Sequence, residues 1–218
     1  MGCIRFPLDS YNDESFYGIL PEPLSQILGK KALQTPGREL VVVDLMASTG
    51  GLRSLARILK SDFGCSMKGV TVSLTDDRSE AVKIKDAGLG IQHIAADLGQ
   101  DATWDRLSSA VPNGMADYIV SAGVGGLSYL PHHRDYYTSV MQRLWGMLRP
   151  EGGAMTIEVP SNKRLAMVGI GSLFRATFTW QQQGISVISA SPGSTSVIHI
   201  ERNPSNPAEL PRCDLMVS

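Results

Sequence analysis

The residues best suited to chemistry stand at the ends of apolar runs. In VVVDLMASTGG the acid Asp44 follows three valines and hands over to a loop in which Ala47, Ser48, Gly50 and Gly51 are all small. Small side chains let a backbone pass close to a bound ligand. Asp76 and Asp77 follow GVTVSL, Asp97 closes IAAD, and Asp117 opens DYIVS, whose last residue Ser121 precedes Ala122 and Gly123. Two places offer a general base. His132 and His133 lie in SYLPHHRDYY, and imidazole titrates where a base is needed near neutral pH; a pair of exposed loop histidines is the plainer reading. Glu158 sits in the apolar stretch AMTIEV, where an acid is costly unless it is used or paired. Tyr129 and Tyr136 suit the lining of an acceptor pocket, whereas Tyr137 suits the core face of a helix.

These residues need elements to position them, and the hydrophobic pattern supplies an alternating series. ELVVVDL (39–45) reads as a strand buried on both faces of a parallel sheet. After the small-residue loop, Leu52, Leu55, Ala56 and Leu59 share one face of a helix. Strands are then predicted over 67–74, 91–95, 116–121 and 154–159, and helices over 76–87, 100–110 and 134–148. The helix over 76–87 has acids in its first turn and lysines towards its end, matching the macrodipole. A further helix around 163–182 leads to strands over 185–190 and 196–201, joined by SPGST as an antiparallel hairpin. Pro21 and Pro23 interrupt any helix over 15–33.

The expected fold is α/β: a doubly wound, mostly parallel seven-stranded sheet with helices on both faces and an antiparallel C-terminal hairpin strand at its edge. Its ligand belongs across the carboxyl ends of the first strands. We divide the chain into an N-terminal helical segment (1–38) covering the active site, a Rossmann-like domain (39–202) and an irregular, surface-lying tail (203–218).

Composition excludes several classes. The formal net charge is −1, which disfavours RNA or DNA held through bulk positive charge. The 3 cysteines are scattered, with no CxxC pair or Cys/His cluster, so no metal site is expected and the thiols read as reduced in a cytoplasmic protein. No apolar stretch suggests a signal peptide or a membrane span.

Five segments together resemble the class I S-adenosylmethionine-dependent methyltransferases, over about 39–202. VVVDLMASTGG is similar to the family's strand, acid and Gly-x-Gly-x-Gly loop. The resemblance implies that Asp44 orients the loop amides or reaches the methionine ammonium. It also implies that the loop Met46, Ala47, Ser48 and Gly50 wraps the cofactor, with Met46 where the family has its first glycine. GVTVSLTDDRSEAV resembles the strand-two ending of cyclopropane-fatty-acid synthase-like members, implying that Ser73, Thr75 or Asp76 bonds a ribose hydroxyl. Asp76 and Asp77 equally suit a helix cap. IAADLGQDATW implies that Asp97 takes the adenine amino group and the Leu98 amide a ring nitrogen. ADYIVSAGVGG places Ser121, Ala122 and Gly123 beside the methyl-transfer centre, with Asp117 structural. LWGMLRPEGGAMTIEV is close to the helix–Leu-x-Pro-Gly-Gly–strand five signature, a tight turn.

The implied activity is methyl transfer from S-adenosylmethionine to a small-molecule hydroxyl or amine. The acceptor site is then built from 1–38 and the loops after strands four and five, and a homodimer is compatible with this plan. Three other readings compete. A nicotinamide-dependent dehydrogenase wants GxGxxG in the first turn, which MASTGG lacks. An RNA ribose 2'-O-methyltransferase fits the ASTGG loop, but Ser121 and Glu158 stand where its aspartate and lysine belong. A methyltransferase-like fold that is inactive or repurposed for binding fits the departures at Met46 and Ser73–Leu74.

Overall fold

The computed structural model describes residues 19–121, 134–160, 173–190 and 195–212. Its elements run α1 (Leu24–Gln34), β1 (Leu40–Leu45), α2 (Gly50–Phe63), β2 (Met67–Ser73), α3 (Glu80–Gly88), β3 (Ile91–Ala95), α4 (Asp101–Ala110), β4 (Tyr118–Ser121), α5 (Arg134–Met147), β5 (Gly153–Pro160), α6 (Leu173–Gln182), β6 (Ser186–Ala190) and β7 (Thr195–Arg202). The sheet has 7 strands in the order β3-β2-β1-β4-β5-β7-β6. All six residues of β1 are buried, as a central strand of a parallel sheet requires, and it pairs in parallel with β2 and β4.

Two cores cover the sheet. On one face α1 and α2 bury Leu24, Leu28, Leu52, Leu55 and Leu59 against Val42, Tyr118 and Val120. On the other, α4, α5 and α6 bury Trp104, Trp145 and Trp180 against Val43, Ile119 and Ile157. α1 starts immediately after Pro23, which occupies its N-cap and removes no helical hydrogen bond there.

The amino ends of the strands are locked by Asp117, which is fully buried. It accepts from the Val41 amide at 2.9 Å and from Arg149 Nε at 3.1 Å, also bonds Arg38, and has Lys31 at 3.7 Å. Asp117 is therefore structural, as its place at the start of strand four suggests. The RPEGG turn brings Arg149 here. Gly152 takes φ 82, and a Cβ on Gly153 would stand 2.6 Å from the Arg149 backbone nitrogen, so neither position tolerates a side chain easily.

The structure corrects two expectations. The reversed strand is β7, and it lies one place in from the edge, antiparallel to both β5 and β6. Its Ile198 and Ile200 are fully buried while Ile188 on the outer strand is 49% exposed, so the more apolar strand takes the covered position. Second, the helix expected over 76–87 begins only at Glu80, with Ser79 as N-cap. Asp76 caps nothing, because Arg78 holds its carboxylate. The segment 203–212 is irregular and mostly exposed, and it is fastened to the body. Leu210 is buried, and Trp145 and Trp180 donate their indole N–H groups to Pro207 and Pro211 carbonyls at 3.1 and 2.9 Å.

Candidate functional site

In a sheet of this order the strands are added outward from β1 on one side and from β4 on the other, and this switch opens a crevice at their carboxyl ends. The residues there come from four strand endings.

From β1 comes Asp44, only 1% exposed. Burial pushes its carboxyl well above the ordinary carboxylate range. Met46 follows with φ 63, a left-handed backbone that favours glycine, and its amide donates to the Val72 carbonyl at 2.8 Å. The turn throws Ala47 and Ser48 outward, half-buried and exposed. Thr49 is the N-cap of α2, and no side chain caps the first amides of that helix. Those amides are ready donors for an anionic or polar group.

From β2 comes Ser73, whose hydroxyl donates to the Thr75 carbonyl at 2.7 Å. Leu74 is 71% exposed, a large apolar side chain left in the open beside the crevice. Asp76 is held in bidentate fashion by Arg78, Nε at 2.7 Å and Nη2 at 2.9 Å, which keeps its carboxyl well below the usual range. From β3 come Asp97 and Leu98. The Asp97 carboxylate accepts from the Gly99 amide at 2.8 Å and is otherwise exposed. The Leu98 carbonyl accepts from Trp104 Nε1 at 3.0 Å and from the Tyr136 hydroxyl, so Tyr136 braces this turn.

From β4 comes Ser121, fully buried, with a hydroxyl that has no hydrogen-bond partner among the described residues. Asp44 pairs with Val120 across β1 and β4, so Ser121 sits one residue further on. Side chains alternate along a strand. Val42 packs in the α1/α2 core and Ile119 in the opposite core, so Asp44 and Ser121 border the crevice from opposite faces. Glu158, 7% exposed, lies towards the carboxyl end of β5 opposite Val197.

Asp44, Met46, Ala47, Ser48, Gly50, Ser73, Asp76, Asp97, Leu98 and Ser121 thus line one edge of the sheet, with Glu158 further along it. Ala122, Gly123, Tyr129, His132 and His133 lie outside the described residues. Tyr137 is buried in the core.

Sequence reasoning missed two groups. His93 on β3 lies between Thr71 and Ser73 of β2: its Nδ1 is 2.7 Å from the Thr71 hydroxyl and its Nε2 3.2 Å from that of Ser73. Nε2 is also 3.3 Å from the Thr75 carbonyl, which only accepts, so in the neutral ring Nε2 carries the proton and Nδ1 accepts from Thr71. The second group is Arg53, Arg78 and Asp86, an ion-pair chain behind the crevice. The strand alternation of GVTVS offered a signal for the first. Nothing in sequence spacing pairs Arg53 with Asp86.

No protein-family model and no curated protein matches the chain. Solved structures do. One is the MycE methyltransferase of the mycinamycin biosynthetic pathway, solved with magnesium, S-adenosylhomocysteine and mycinamycin VI. It is 13% identical with a TM-score of 0.50, over 94% of this chain and 56% of that one. Another is the Burkholderia thailandensis 1,6-didemethyltoxoflavin-N1-methyltransferase, solved with 1,6-didemethyltoxoflavin and S-adenosylhomocysteine. It is 17% identical with a TM-score of 0.47, over 90% of this chain and 85% of that one. A third is the Geobacter metallireducens precorrin-6y C5,15-methyltransferase, 12% identical with a TM-score of 0.47, over 91% of this chain and all of that one. The chain has the Rossmann-like fold of the class I S-adenosylmethionine-dependent methyltransferases. Among the described residues, no helix is long and apolar enough to cross a membrane.

Proposed function

We propose that the chain binds S-adenosylmethionine in the β1/β4 crevice and transfers its methyl group to a small-molecule hydroxyl or amine. The observation that carries this reading is the backbone of Met46. It turns left-handed at φ 63 immediately beyond the buried Asp44, at the place where the resemblance calls for a glycine. A residue other than glycine is held in that conformation only where the surrounding structure demands the turn.

The residues present fit such a ligand. Asp44 is a buried carboxylate suited to a cationic ammonium, which would draw its raised pKa back down. The uncapped amides at the start of α2, with Ala47, Ser48 and Gly50, suit the polar amino-acid end of the cofactor. Leu74 offers an apolar surface to the adenine, Asp97 an acceptor for its amino group and Leu98 an amide for a ring nitrogen. Asp76 is engaged by Arg78, and the Ser73 and Thr75 hydroxyls donate to the Thr75 carbonyl and Asp77, so these two meet the ribose hydroxyls as acceptors. The buried Ser121 hydroxyl, without a partner among the described residues, has a hydrogen bond to offer at the centre. When bound, the cofactor supplies an electrophilic methyl group on a sulfonium. The protein then holds the acceptor in line and takes a proton from it. His132 or His133 serves as that base, with Glu158 as the second candidate.

Acceptor choice is tested by following S-adenosylhomocysteine release over a panel of small hydroxyl and amine compounds and over structured RNA. Release with a member of the small-molecule panel is expected. Release with RNA alone would move the protein to the ribose-methylating reading, and cofactor binding without release in either arm would support a binding protein instead.

A further inference from the structure

We infer that Asp86 is a positioning residue for the crevice, a buried carboxylate that fixes the 46–49 turn against the 74–79 segment. The inference rests on reading the crevice as a cofactor site, and it assigns three side chains outside that site to setting its shape.

Asp86 lies on α3, a helix of 9 residues in which it is the one buried residue. A helix on a sheet normally docks through an apolar stripe. Here Ile84, its largest apolar side chain, is 73% exposed, while Asp86 is fully buried. Apart from half-buried Val82 and Leu89 just beyond its end, the contact that holds α3 is therefore polar. Asp86 Oδ1 accepts from Arg53 Nη1 at 2.9 Å, and its Oδ2 from Arg78 Nη1 at 2.9 Å. The same Arg53 Nη1 donates to Thr49 Oγ1 at 3.0 Å, so the guanidinium links Asp86 to the turn. Arg78 passes the connection outward by gripping Asp76.

The charges balance. Arg53 and Arg78 face Asp86 and Asp76, so the chain of ion pairs is neutral although Asp86 is out of water. An isolated carboxylate there would be strongly disfavoured, and each partner removed leaves the others uncompensated. Burial pushes the Asp86 carboxyl up, but the bonds from Arg78 and Arg53 outweigh it and hold it below the ordinary value. The group stays charged across the physiological range.

The geometry matters because of where the ends of the chain lie. Thr49 is the last residue of the turn that follows Met46, and it is 1% exposed. Arg78 and Asp76 belong to the six residues between Ser73 and Glu80 that have no regular structure of their own. Beyond the Met46–Val72 backbone bond, and the Thr75 carbonyl held by Ser73 and His93, neither segment has a ladder to hold it. One carboxylate on α3 therefore sets their separation, and that separation is the width of the crevice between the cofactor's amino-acid end and its ribose.

Thr49→Ala and Thr49→Ser separate positioning from simple support, with Asp86→Asn as the stronger perturbation. Thr49→Ala removes the link to the turn and leaves both ion pairs of Asp86 in place. Amide hydrogen exchange across 46–50 is measured on the free protein, and S-adenosylhomocysteine affinity is measured separately by calorimetry. Thr49→Ala should speed exchange across 46–50 and weaken binding about tenfold, the loss of one buried hydrogen bond to a charged group. Thr49→Ser should restore both. Asp86→Asn should extend faster exchange to 74–79. If Thr49→Ala lowers the melting temperature yet leaves exchange at 46–50 and the affinity of the folded protein unchanged, the inference is overturned and Asp86 only docks α3. A wild type that does not bind S-adenosylhomocysteine would instead remove the cofactor reading, while the exchange comparison still decides the clamp. Should Asp86→Asn fail to fold, the threonine pair carries the test alone.

Discussion

Met46 permits a test in which the sign of a difference, rather than its size, is decisive. Its φ of 63 lies in the left-handed region, and its side chain is half-buried against the α4/α5/α6 core. Met46→Ala and Met46→Gly remove nearly the same packing, so comparing the two variants with each other cancels that loss. At a right-handed or extended position glycine is the worse residue, by roughly 0.5–1 kcal/mol, because it gains more freedom on unfolding. At a left-handed position the Cβ costs about 1–2 kcal/mol. Subtracting the same unfolded-state freedom leaves glycine ahead of alanine by about 0.5–1 kcal/mol. In a chain of this size that is a rise of roughly 1–4 °C in melting temperature. Urea unfolding of the two variants at one pH gives the difference directly. Alanine equal to or more stable than glycine would refute the left-handed turn, and with it the observation on which the functional reading rests.

Three further outcomes follow from the same geometry. Asp44 has its folded pKa raised, so the protein loses stability as pH climbs from the ordinary carboxylate value of about 4 towards the raised one. Asp44→Asn should flatten melting temperature against pH over that window and weaken S-adenosylhomocysteine; parallel curves would show that Asp44 is not the group responsible. Asp117→Asn strips the charge from a carboxylate facing Lys31, Arg38 and Arg149 and should cost about 3–5 kcal/mol in urea unfolding. It should leave the cofactor affinity of the folded protein unchanged, since it sits at the opposite end of the strands; a loss under about 1 kcal/mol would contradict the structural role. His132→Ala or His133→Ala should lower turnover without altering S-adenosylhomocysteine affinity, and unchanged turnover in both would leave Glu158 as the base.

What the sequence discloses here depends on whether the physics is local. The valine run of β1, the Leu52/Leu55/Ala56/Leu59 stripe of α2 and the RPEGG turn each answer to a period or to a backbone requirement, and all three stand where expected. The departure at Met46 was legible as a residue out of pattern, and the structure shows its cost as a positive φ. The late start of α3 was not legible, because an acid-rich first turn looks like a cap until Arg78 is known to take Asp76. Asp86 was invisible for a related reason. In DDRSEAVKIKDA it reads as one more solvated charge, and its partner Arg53 is 33 residues away. His93 depends on the parallel register of β2 and β3, which sets it beside Thr71. The packed tail depends on two indole donors far from it in the chain.

S-adenosylmethionine is proposed to occupy the crevice beyond β1 and β4. Titrating the isotopically labelled protein with S-adenosylhomocysteine and following backbone amide shifts tests it most directly. Saturable shifts at 44–50, 73–76, 97–98 and 121, with none around Asp117, are predicted. No response at millimolar ligand, or a response centred away from those residues, would contradict the account.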